Sequence, residues 1–140
     1  MVIAFLKWNP FHHKLHKGTY EGGEYNGYVA FDKELPLSCQ GGAYWEDNNS
    51  LDNKVSVHGG ITLDRKMSDW IEEPIIPLTA IPEPEVFKNL RVIGFDTLHC
   101  DDTKEYWTFE RTKEETLSLM RQIEELFTEE EDEPFDTLDR

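Results

Sequence analysis

Only one stretch of this chain, residues 112–127, carries an apolar period that fits a helix. Leu119, Met120, Ile123, Leu126 and Phe127 recur at three- and four-residue steps and form one stripe. Just upstream, Thr112-Lys113-Glu114-Glu115 has the form of a capping box, in which the Thr112 hydroxyl accepts from the Glu115 amide and the Glu115 side chain reaches back. The other apolar stretches are short, rich in β-branched and aromatic residues, and bounded by Gly, Pro and Asn. The expected fold is therefore α+β: a twisted, mainly antiparallel sheet with one long C-terminal helix packed on it.

Strands are expected at Tyr28–Phe31, at Val55–Leu63 with a break at Gly59-Gly60, and in Val86–Phe95. Tyr106–Phe109 reads either as a further strand or as the approach to the helix. Pro74, Pro77, Pro82 and Pro84 exclude helix and central strand from their segment, which reads as an extended excursion whose Ile75, Ile76, Leu78 and Ile81 still call for burial. Residues 1–20 hold Lys7, Lys14 and Lys17 without an acid, plus His12, His13 and His16, and read as an exposed basic arm or a metal-binding tract. The division expected is one domain, 1–128, including that arm, followed by an acidic, disordered tail at 129–140.

Charge is distributed unevenly. The net of −15 divides into −2 over residues 1–70 (9 acidic, 7 basic) and −13 over residues 71–140 (20 acidic, 7 basic). Such a field repels nucleic acid and anionic membranes and attracts basic surfaces. On the helix and tail, Glu114, Glu124, Glu125, Glu129 and Glu130 are the expected contacts for a basic partner. No apolar run approaches the roughly 20 residues of a membrane span, the N-terminus lacks signal-peptide features, and Cys39 and Cys100 are the only thiols. A cytoplasmic protein with reduced cysteines is expected.

The chemistry concentrates in Arg91-Val92-Ile93-Gly94-Phe95-Asp96-Thr97-Leu98-His99-Cys100-Asp101-Asp102, which begins strand-like and turns polar within three positions. The other strand-associated histidine is His58, in Val55-Ser56-Val57-His58-Gly59-Gly60. If the two segments lie side by side, His58, Asp96 and His99 converge, with Asp102, Asp101 or Cys100 as a fourth group; Asp102 completes the expected set. Mixed nitrogen and carboxylate ligands suit zinc, with manganese and iron also compatible by ligand type. The alternative is that both histidines are hydrogen-bonded core residues and Asp96 caps a turn.

These segments also carry a resemblance. Tyr25-Asn26-Gly27-Tyr28-Val29, His58-Gly59-Gly60-Ile61-Thr62 and Ile93-Gly94-Phe95-Asp96-Thr97-Leu98-His99 resemble a family of small phage- and prophage-encoded proteins over roughly residues 25–126. The resemblance implies a phage origin, hence a host-cell cytoplasm, and a shared site rather than a reaction. By analogy of character, a small acidic phage protein with such a site is similar to metal-containing anti-CRISPR proteins that block Cas9. The leading expectation is thus an inhibitor of a basic host protein that handles nucleic acid, Cas9 among the candidates, with a structural zinc and no direct contact to nucleic acid or membrane. A metal-dependent hydrolase is the second reading, although no phosphate-cradling Gly-rich loop and no GxSxG accompanies the cluster. The third is a module that sequesters a nucleotide signal by stacking on Tyr28, Tyr44 and Trp45.

Overall fold

A computed structural model of the chain describes residues 1–9, 22–35, 51–69, 74–99 and 102–138, with side chains excluded at 53 and from 129 onward. Among the described residues, five strands form one sheet: β1 (Val2–Trp8), β2 (Tyr25–Phe31), β3 (Leu63–Lys66), β4 (Ile76–Pro77) and β5 (Arg91–Phe95). Their order is β3-β5-β2-β1-β4, and every neighbouring pair is antiparallel. A single turn, α1 (Pro84–Phe87), precedes β5, and α2 (Phe109–Leu138) crosses the sheet over β1 and β2. The α+β architecture is the one expected.

Both faces of the sheet are covered. On the α2 side, Val29, Phe31, Ile93 and Phe95 pack with Leu119, Ile123, Leu126 and Phe127, joined by Leu51, Ile61 and Trp107. On the other side, Ile3, Phe5, Tyr28, Ala30 and Val92 meet Met67 and Leu90, with Ile75, Ile81 and Phe87 at the margin. Helix and sheet approach closely at Gly27, where a Cβ would meet the Thr116 hydroxyl and the Phe95 ring. Thr116 satisfies its hydroxyl by donating to Thr112 O at 2.7 Å, so a buried polar atom carries no penalty there.

Four elements depart from the sequence reading. The chain start is an interior strand rather than an exposed arm: Val2–Trp8 pairs with both β2 and β4, and Lys7 is buried. Strands covered on both faces read as apolar runs without alternation, which is how Val2-Ile3-Ala4-Phe5-Leu6 reads. The basic residues 10–21 of the expected arm lie outside the described residues. Val55–Leu63 is not a strand either. Gly59 and Gly60 take φ of +70° and +81° and turn the chain, so pairing with β5 starts at Thr62, whose amide donates to Gly94 O at 2.9 Å. Strand β5 likewise begins only at Arg91, because Pro84 opens α1 in the first half of Val86–Phe95's approach.

The helix begins one turn earlier than the capping box implies. Arg111 N donates to Thr108 Oγ1 at 3.2 Å, which puts the cap at Thr108. Thr112 is buried inside the helix and donates to Thr108 O at 2.8 Å, leaving Glu115 free for another partner. The helix backbone also continues to Leu138, through the stretch expected as a separate tail. The prolines keep their segment from the sheet centre as expected, Ile76-Pro77 being an edge strand where a missing amide costs no ladder bond. Pro84, however, does not exclude helix, since at the first helical position it needs no amide partner.

The stripe predicts a measurable cost. Ile123 is fully buried between helix and sheet, so Ile123→Ala should destabilise the fold by about 2–5 kcal/mol, read from the denaturant midpoint at unchanged slope. A shift under about 0.5 kcal/mol would remove α2 from the core.

Candidate metal centre

Beyond β5 the chain leaves the sheet through a tight turn. Asp96 Oδ1 accepts the Leu98 amide at 3.1 Å, and Thr97 Oγ1 donates to Tyr25 O at 2.8 Å. Asp102 N donates to His99 O at 2.8 Å, and Gly22 N donates to Asp102 O at 3.1 Å. These bonds bring Asp102 back beneath His99 and against the glycine turn that carries His58.

The Asp102 carboxylate is the centre of the site. It is 4% exposed, and a buried carboxylate needs donors at both oxygens. Oδ1 accepts from His58 Nε2 at 2.9 Å and Trp107 Nε1 at 3.1 Å. Oδ2 accepts from His99 N at 2.9 Å and His99 Nδ1 at 3.0 Å, with His58 Nε2 also within 3.0 Å. An ionised carboxylate only accepts, which assigns the imidazole protons to Nε2 of His58 and Nδ1 of His99. Burial pushes the Asp102 carboxyl up, but the hydrogen bonds from His58 and His99 and the charge of His58 outweigh it, and the group is held below its ordinary value of 3.8.

The two imidazoles stand edge to face with centroids 4.9 Å apart, and His58 lies 4.3 Å from the Trp107 ring. Gly59 is required here twice over: its φ is +70°, and a Cβ would meet Cε1 and Nε2 of His99. Helix α2 supplies the remaining support, since Glu115 Oε2 accepts the His58 amide at 2.8 Å and Gln122 bonds the backbone of Ser56.

His58, His99 and Asp102 form a group that could hold a metal ion, their ligand atoms lying within 4.8 Å of one another. An ion with four ligands at about 2.0–2.1 Å keeps them roughly 3.3 Å apart, close to the 2.9–3.0 Å imidazole–carboxylate separations found. An ion coordinated through these nitrogens would displace their two protons, so its binding is coupled to proton release. Neither histidine is sealed in. Their side chains are 27% and 38% exposed, and His58 borders a polar groove of about 610 Å³ lined also by Tyr106, Trp107, Arg111, Glu114 and Arg121.

Three of the four expected ligands come together; Asp96 does not join them. Its Oδ1 is 3.7 Å from His99 Nδ1 and already accepts the Leu98 amide, the turn-capping role that was the alternative for it. Cys100 and Asp101 lie outside the described residues. Glu114, Glu124 and Glu125 are exposed on α2 as expected, while the side chains of Glu129 and Glu130 are not described. Tyr28, considered for stacking on a nucleotide, is buried against Phe5 at 5.5 Å, and Tyr44 and Trp45 are outside the described residues. Sequence reasoning missed Trp107 and Glu115, whose roles depend on the turn after Asp102 and on the earlier helix start.

Asp102 gives the site a defined pH response. Its folded pKa is depressed, so its contribution to stability is fully present above the unfolded value and is lost as pH falls through the folded one. In chelator-treated protein, the stability advantage of wild type over Asp102→Asn should therefore be full at pH 5 and shrink progressively as the pH is lowered to 2, read from urea midpoints. An advantage that does not change between those values contradicts an ionised, hydrogen-bonded Asp102. No protein-family model, curated protein or solved structure matches this chain.

Proposed function

We propose that this chain is a small binding protein that holds zinc at His58, His99 and Asp102 as a structural cross-link and places its acidic helix against a basic partner. The observation that carries the reading is the construction of the cluster. One buried carboxylate joins the turn at His58 to the turn at His99, and His58 is backed by two further protein groups, the Trp107 ring and the Glu115 carboxylate, that hold it in place. An ion here would tie together loops that the sheet itself leaves unpaired. Zinc is favoured by two imidazoles and a carboxylate.

The partner is inferred from charge. Helix α2 carries 11 acidic and 3 basic residues, and Glu114, Glu124 and Glu125 are exposed on its packed part. A surface of that sign suits an Arg/Lys-lined channel such as that of a nucleic-acid-guided nuclease, Cas9 being the candidate that the phage resemblance suggests.

A metal-dependent hydrolase is the second reading, and the partly exposed His58 imidazole beside the polar groove favours it. In that case the ion would activate a water rather than fasten two turns.

Elemental analysis of protein never exposed to chelator should find about one zinc per chain, and His99→Ala should release it and lower the melting temperature. Absence of stoichiometric metal removes the zinc reading. For the partner, pull-down of Cas9 and other nucleic-acid-binding proteins should succeed at about 0.05 M salt and weaken strongly at about 0.5 M, where the Debye length is roughly threefold shorter. Salt-independent capture would point to an apolar interface. No capture, together with metal-dependent turnover of a phosphoester or amide, would favour the hydrolase.

A further inference from the structure

We infer that Glu115 and Gln122 are positioning residues for the metal centre, holding the backbone of segment 55–58 so that the His58 ring meets Asp102 before any ion arrives. The metal part of this inference rests on the zinc reading; the positioning part does not.

Among the described residues the segment leading to His58 has no strand neighbour: residues 55–57 belong to no helix or strand. Its backbone polar groups must still find partners. Gln122 provides them at Ser56, where Oε1 accepts the Ser56 amide at 2.7 Å and Nε2 donates to the Ser56 carbonyl at 2.9 Å. A carboxamide making both bonds reproduces the paired exchange that an antiparallel strand would make. Two residues on, the His58 amide donates to Glu115 Oε2 at 2.8 Å.

The spacing is self-consistent. Ser56 and His58 are alternate residues of an extended segment and so direct their amides to one side. Glu115 and Gln122 are seven residues apart, two turns of helix, and so share a face. Val55 and Val57 pack against the core on the helix side of the sheet. The helix therefore substitutes for a missing strand, and the φ of +70° at Gly59 then takes the chain around behind the His58 ring.

Ordering of this segment is completed by folding, which is the condition for a pre-organised site. Neither Glu115 nor Gln122 reaches Asp102 or His99 in any hydrogen bond found among the described residues, so their effect on an ion would pass through His58 alone.

The test uses the full chain, chelator-treated, with ¹⁵N spectra of the histidine rings. Wild type should show a slowly exchanging His58 Nε2–H. Glu115→Ala combined with Gln122→Ala should lose that signal while keeping the His99 Nδ1–H and the far-UV circular dichroism, and should bind zinc about 10–100-fold more weakly in competition with a chromophoric chelator. Glu115→Gln, which keeps an acceptor oxygen, should restore the signal. If the double variant does not fold, Gln122→Ala alone should speed exchange of the His58 ring proton without affecting His99. An unchanged His58 signal in folded Ala variants overturns the inference. Loss of that signal in a protein that binds no zinc even as wild type sustains the positioning role and overturns the zinc reading instead.

Discussion

The need to satisfy one buried carboxylate organises this end of the molecule. Asp102 draws donors from His58, His99 and Trp107, which belong to separate turns, and no two of those turns are joined by a strand ladder. Leaving such a carboxylate unpaired would cost several kcal/mol, so the four N–H groups that reach it act as one unit. Removing a single donor would therefore weaken more than one contact, because the donors also touch each other: His58 meets His99 edge to face and lies tilted against Trp107.

The sheet and helix set the distances at which this can happen. Thr97, at the end of β5, is fixed to β2 through Asn26 Oδ1 and Tyr25 O. The start of α2 is fixed by the close approach of Thr116 to Gly27. His99 and Asp102 fall between these two anchors in the sequence. The glycine turn at 59–60 brings His58 in from the β3 side, where Ile61 N is held by Asp52 Oδ1 at 2.8 Å. The site thus lies off one edge of the regular structure and inherits its rigidity from side chains rather than from a ladder.

Much of this was legible in the sequence, for reasons that differ by element. The apolar stripe from Leu119 to Phe127 is periodic enough to place both the helix and its buried face, and the prolines at 74–84 correctly deny that segment a central position. Strand β1 was not legible because burial on both faces erases the alternation that identifies a strand. The capping box misled because Thr108 supplies the cap without an acid at the third position, freeing Glu115 for His58. The histidines and a nearby carboxylate were legible as a cluster, but Asp96 and Asp102 stand symmetrically three residues either side of His99. Spacing alone cannot choose between them. The choice is made by Trp107 and His58, whose donors wait only on the Asp102 side.

The contacts that complete the site also have a consequence for when it forms. His58 meets Asp102 across 44 residues and Glu115 across 57, and Ser56 meets Gln122 across 66. Closing loops of that length must be preceded by the collapse that brings their ends together, whereas α2 can form from local bonds alone. On the ribosome, the chain emits His58 long before its partners exist, and the last of them lies within the final helix. Competence to bind at this site would therefore arise only once that helix has been synthesised and docked, making the site a late-forming feature of the fold.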